Sequence, residues 1–105
     1  MSTEPAIAVS DNPDRQRFEL RVDGQLAGFA QYRAEPGQIA FIHTEIGDRY
    51  EGQGLASRLI SFALDDARRR GLAVLPFCPF VNDYIQRHRK YADLVPADRR
   101  AEFDL

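Results

Sequence analysis

The chain of 105 residues contains a single cysteine. That excludes an internal disulfide, leaves no partner for a cysteine-rich zinc site and points to a reducing compartment. Seven glycines and six prolines are too few for a fibrous or disordered chain. Neither sign of charge dominates: Lys and Arg number 14 against 16 Asp and Glu, for a net charge of -2. No global field therefore draws the protein to nucleic acid or to an anionic membrane, and any anion site must be local. No apolar stretch approaches the roughly 20 residues of a membrane-spanning helix. The opening residues MSTEPAIAVSDNPD lack the basic flank and apolar run of a signal peptide. A cytoplasmic protein without nucleic-acid or membrane partners is expected. Two histidines and one cysteine, scattered without metal-ligand spacing, predict no metal site.

The remaining composition, 44% apolar and 29% charged, is that of one small globular domain. Its first dozen or so residues, with Pro5, Asp11, Asn12 and Pro13, read as loosely ordered apart from a short edge strand over residues 6–9. From Arg17 the alternation of Phe18, Leu20 and Val22 with Glu19 and Arg21 predicts a half-buried strand, and Asp23-Gly24 a hairpin turn. A second strand over about residues 25–33 stops at Glu35-Pro36-Gly37. A third, QIAFIHTEI, completes the meander.

After Gly47 the period changes to 3.6. Leu55, Ala56, Leu59, Ile60, Ala63 and Ala67 form one face of an amphipathic helix that ends at Arg68-Arg69-Arg70-Gly71. The basic triplet reads as a solvated helix end. Leu72 to Phe77 predicts a strand parallel to the third, because a helix crosses over between them. Pro79 then opens a last helix over about residues 80–91, with Val81, Tyr84, Ile85 and His88 at helical spacing. The tail PADRRAEFDL is polar, with Phe103 and Leu105 to dock it.

The first helix has no Ser, Thr, Asp or Asn as a cap. Glu51, Gly52, Gln53 and Gly54 stand there instead. Helix-start amides lack intrahelical partners and carry partial positive charge, and glycines let several of them converge on one anion such as a phosphate. A Walker loop is excluded, since Leu55 and Ala56 follow Gly54 where Lys and Ser or Thr are required. The dinucleotide fingerprint fits poorly, with Ser57 where its third glycine belongs. A glycine-rich turn with a water-capped helix stays open on spacing alone.

Arg49-Tyr50-Glu51-Gly52-Gln53-Gly54 fits the pattern Gln/Arg-x-x-Gly-x-Gly/Ala. With HTEIGDRYEGQGLASRL and PFCPFVNDYIQRHRKYADLV, the chain resembles the GNAT superfamily of acetyl-CoA-dependent N-acetyltransferases over about residues 17–95, and most closely its small single-domain members. The resemblance implies an α/β (α+β) fold, an antiparallel meander followed by a β-α-β crossover and a C-terminal helix. It implies acetyl-CoA or coenzyme A as cofactor, with Arg49, Tyr50, Glu51, Gly52, Gln53, Gly54, Leu55 and Ala56 around the pyrophosphate. Ile42, Thr44 and Ile46 would offer main-chain groups to the pantetheine arm, and Asn82 would touch that arm or the acceptor. The acyl group would arrive near Leu75 to Cys78.

Cys78 is either a nucleophile near the acyl group, its thiolate favoured by a helix start, or a small buried hydrophobe. His43 and Glu45, expected on one strand face with Phe41, are each a general base or a structural residue, and Thr44 is expected on the opposite face. Tyr84 and Tyr91 read as core or interface residues. The acceptor is an unidentified amine, of a small molecule, a lysine or a protein N-terminus, and the protein a monomer or weak homodimer. The helices and final hairpin that build the acceptor pocket in larger members are absent from this sequence. That keeps two other readings open: a non-catalytic acyl-CoA-binding or protein-interaction module, and a redox-sensing thiol.

Overall fold

The computed structural model describes residues 5–105. Five strands form one mixed sheet in the order β1-β2-β3-β4-β5: β1 Ile7–Asn12, β2 Arg17–Val22, β3 Gln25–Glu35, β4 Gln38–Ile46 and β5 Ala73–Pro76. Strands β1 to β4 are antiparallel neighbours and β5 lies parallel to β4. Helix α1, Leu55–Arg69, makes the crossover, and α2, Pro79–Arg87, follows β5. The architecture is the expected meander, crossover and last helix. Met1–Glu4, part of the loosely read start, lie outside the described residues. None of the helices among the described residues is long and apolar enough to cross a membrane.

Turn chemistry sets the meander. Asp23 and Gly24 both have positive φ, at 51° and 82°, the mirror-image turn whose twist suits a two-residue hairpin. The same Asp23 holds the start of β1: its carboxylate accepts from the Ala6 N–H at 2.9 Å and its own N–H donates to the Ala6 carbonyl at 2.8 Å. The edge strand is thereby longer than the expected 6–9 and occupies part of the stretch read as loose.

Phe18, Leu20, Ile39 and Phe41 on the sheet meet Leu59, Ile60, Ala63 and Leu64 of α1, all nearly excluded from solvent. The ring of Phe18 lies 5.4 Å from Tyr32 and 6.3 Å from Phe41. Gly71, at φ 69°, ends α1 with Leu72 N–H on Ala67 O and Gly71 N–H on Arg68 O, the paired bonds of a Schellman motif. The basic triplet is engaged within the protein: Arg68 holds Asp93 with two hydrogen bonds, while Arg69 and Arg70 pair with Asp66.

Two further expectations are corrected. The last helix stops at Arg87 rather than near Tyr91, because His88 leaves helical geometry at φ -124°, ψ 76°. Its ring stacks on Tyr84 at 4.0 Å, and a short 3-10 segment, Arg89–Leu94, then brings buried Tyr91 to α1, where its hydroxyl donates to Asp65 at 2.7 Å. The second correction bears on the site. In the β3–β4 ladder Tyr32 faces Phe41 but Gln31 faces His43, so Ile42 is an extra, bulged residue. The bulge inverts the alternation, and His43 and Glu45 lie on the sheet face opposite Phe41.

Candidate active site

The loop between β4 and α1 carries the backbone conformations that its glycines allow. Gly52 and Gly54 have φ of 78° and 73°, a region that costs an L-residue about 1–2 kcal/mol. A Cβ at either would meet nothing within 4 Å, so conformation rather than crowding demands glycine there. Gly54 is the N-cap of α1 and supplies no side-chain cap. The first intrahelical bond runs from Arg58 N–H to Gly54 O at 3.3 Å, so the amides of Leu55, Ala56 and Ser57 have no intrahelical acceptor.

These amides border a groove of about 390 Å³. Tyr50, Glu51, Gly52, Gly54 and the first turn of α1 through Ser57 form one side, and Thr44 and Ile46 of β4 with Phe80 of α2 form the other. Ser57 and Phe80 are additions to the residues expected from sequence. Ser57 stands at the third position of the helix whose amides had been singled out. Phe80 is 42% exposed on a helix whose buried face Val81 and Ile85 already supply. Arg49 and Gln53 shape the loop from outside the lining: the Arg49 guanidinium lies 5.5 Å from the Tyr50 ring centre, and the Gln53 side chain donates to the Arg49 carbonyl at 3.3 Å. Among the described residues Glu51 is the only charged side chain in the lining, so the positive charge bordering the groove is that of the helix start.

The second feature is a parting in the sheet. The β4–β5 ladder runs from Gln38↔Ala73 to Phe41↔Pro76 and closes with Cys78 N–H on Phe41 O at 2.8 Å. Beyond it β4 continues through Ile42–Ile46 without a β5 partner, roughly 17 Å of strand edge at ~3.3 Å per residue. Cys78, the N-cap of α2, is 4% exposed, and its sulfur lies 3.4 Å from the Thr44 hydroxyl. Thr44 and Cys78 are thus brought together. His43 and Glu45, 3.4 Å apart and both exposed, sit on the other face of the same strand, with Phe29 6.1 Å from the His43 ring.

Asn82 is not in the groove lining. Its side-chain nitrogen donates to Phe103 O at 3.1 Å and its oxygen accepts from Gln86 at 3.3 Å. Ile42 is exposed at the bulge, outside the lining, but on the unpaired edge. Among the described residues no group of three or more His, Cys, Asp or Glu is placed to hold a metal ion.

A sheet that parts between two parallel strands, beside an uncapped helix start, is the arrangement that the resemblance to N-acetyltransferases implies. A family model described as GCN5-related N-acetyl-transferase matches residues 17–94, and the chain belongs to that family, which generally uses acetyl-CoA. A GCN5-like protein from Staphylococcus aureus, solved by NMR, is similar in fold with a TM-score of 0.65 at 20% identity, over 85% of this chain and 87% of that one. The ribosomal-protein-S18-alanine N-acetyltransferase from Escherichia coli is similar at a TM-score of 0.53 and 20% identity, over 70% of this chain. This chain spans only 42% of the Escherichia coli enzyme's length.

Proposed function

We propose that the protein is an acetyl-CoA-dependent N-acetyltransferase. The observation that carries this reading is the meeting, in one groove, of the partnerless amides at the start of α1 and the unpaired edge of β4. Those two features suit the two ends of one ligand. Amides from Gly52 to Ser57 hold the pyrophosphate, replacing the missing cap, on a loop shaped by Arg49, Tyr50, Glu51 and Gln53. The main chain of Ile42, Thr44 and Ile46 pairs with the amide-bearing pantetheine arm as a missing strand would. Bound acetyl-CoA supplies an acetyl group activated as a thioester.

Thr44, in the groove lining, touches Cys78 where the strands part. Beyond Phe41 no β5 residue pairs with β4, and the other face of that unpaired stretch carries His43 and Glu45. An amine approaching from the face of His43 and Glu45 meets, in that pair, an acceptor for the proton it loses on acylation. The acceptor class is a primary amine of a small molecule or of a protein.

One observation favours a second reading, an acyl-CoA-binding module without turnover: both base candidates are separated by the strand from buried Cys78. Calorimetric titration of coenzyme A and acetyl-CoA into the wild type and Gly54→Glu tests the shared part. Micromolar binding that the added carboxylate abolishes is expected. A folded wild type that binds neither ligand overturns both readings, and binding without acetylation of any amine leaves the second.

A further inference from the structure

We propose that the segment after residue 94, which lies beyond the family-matched stretch, is a working part of the site. In it Phe103 is a positioning residue that holds the β5–α2 corner, and with it Cys78, against β4. Sequence alone reads residues 96–105 as a polar tail docked by Phe103 and Leu105, without saying against what. In the structure Ala97–Phe103 forms a 3-10 turn that folds back onto α2, with Val95 fully buried and Phe103 5% exposed.

The contacts of Phe103 converge on the two sides of Cys78. Its ring packs edge-on against Phe77, the residue just before Cys78, with centres 5.3 Å apart. Its carbonyl accepts from the side chains of Asn82 at 3.1 Å and Gln86 at 3.4 Å, on the first two turns of α2. Asn82 N–H in turn donates to Cys78 O at 3.0 Å, the bond that opens the helix.

Cys78, Val81 and Ile85 are packed in the core, but backbone bonds at the corner itself are few. Phe77 is 49% exposed and leaves the ladder, with its N–H turned back to Leu75 O, and Cys78 reaches β4 through the single backbone bond to Phe41 and the contact to Thr44. Phe103 therefore braces the point at which β5 stops pairing, and so the hold of Cys78 on β4. Asn82, expected at the cofactor, acts from one residue further out, as an anchor for this brace. The consequence for acyl transfer rests on the function proposed above, but the position of Cys78 does not.

Cys78 is the only cysteine, so its modification by 5,5′-dithiobis(2-nitrobenzoate) reads this one site in bulk. Truncation of buried Phe103 can unfold the domain, so Phe103→Leu, which keeps most of the apolar volume, is measured beside Phe103→Ala. Leu64→Ala, a core truncation in α1, serves as an equally destabilised control. Local opening at the corner is expected to raise the thiol rate about tenfold in Phe103→Ala and less in Phe103→Leu, well above the control. Coenzyme A affinity, set by the start of α1 and the edge of β4, neither of which Phe103 contacts, is expected to stay within about threefold. Equal rates in wild type and both Phe103 variants, or an acceleration matched by Leu64→Ala, overturns the proposal. A wild type that fails to bind coenzyme A refutes the proposed function while leaving the thiol comparison to decide this one.

Discussion

Gly28→Ala should damage the site from the neighbouring strand. A Cβ at Gly28 would stand 2.5 Å from the Glu45 carbonyl oxygen and 2.5 Å from Ile46 Cδ1, with Ile46 Cα at 3.3 Å. The nearest of these atoms is backbone, so β4 must move, and it must move in the stretch that is unpaired on its other edge. Overpacking of this kind costs about 1–3 kcal/mol, offset by about 0.4–1 kcal/mol from a stiffer unfolded chain. A net loss of about 1–2 kcal/mol lowers the melting midpoint by roughly 5–15 °C in a domain of this size. Thermal melting followed by circular dichroism reads that shift, and calorimetry with coenzyme A reads the displaced edge. Gly37→Ala is the control: its φ of 73° gives a strain cost of about 1 kcal/mol, yet a Cβ there meets nothing within 4 Å and lies at the far end of β4. Gly28→Ala should therefore lose both stability and affinity, and Gly37→Ala stability alone. A Gly28→Ala protein that melts and binds like the wild type would refute the reasoning.

His43→Ala and Glu45→Ala should leave coenzyme A affinity near the wild-type value while slowing acetylation of an accepted amine by about 10²–10⁴-fold for the residue that serves as base; lost affinity at unchanged turnover would argue against that role. Acid should weaken the fold through Glu19. Burial alone would raise its pKa, but hydrogen bonds from Arg17, Asn12 and Arg21 outweigh burial and hold it below the ordinary value. A lowered folded-state pKa gives stability that is present above the ordinary carboxyl range and lost as pH falls through the folded value, so Glu19→Gln should flatten the acid limb of a stability-pH curve. An unchanged limb would assign acid loss elsewhere. Burial, with the hydrogen bond to Asp65, pushes the Tyr91 phenol well up. Its stabilisation is therefore complete below the ordinary phenol pKa near 10 and lost as pH rises above it, so Tyr91→Phe should make the alkaline limb shallower.

Much of the fold was legible because its punctuation is local. Asp23-Gly24, Glu35-Pro36-Gly37 and Gly71 each force a turn that few other residues allow, and between them the change of period from two to 3.6 separates strands from helix. The glycine loop was legible for the same reason: a helix start without a side-chain cap asks what takes its place. The bulge at Ile42 was not, since it places no glycine or proline in β4 and depends on how that strand pairs with β3. Missing it put His43 and Glu45 on the wrong face relative to Phe41. Nor was the anchoring of Asn82 legible, because its partner Phe103 lies 21 residues away and was read in a polar tail. The close approach of Glu45 and Ile46 to Gly28 depends on the pairing of β3 with β4 and leaves no local mark in the sequence.

The central claim, that one groove joins the start of α1 to the free edge of β4, is tested most directly by amide NMR during titration with coenzyme A. The N–H signals of Gly52, Gly54, Leu55, Ala56 and Ser57 should shift most, together with those of Ile42–Ile46. Shifts confined to other surfaces, or none in a folded protein at millimolar ligand, would contradict it.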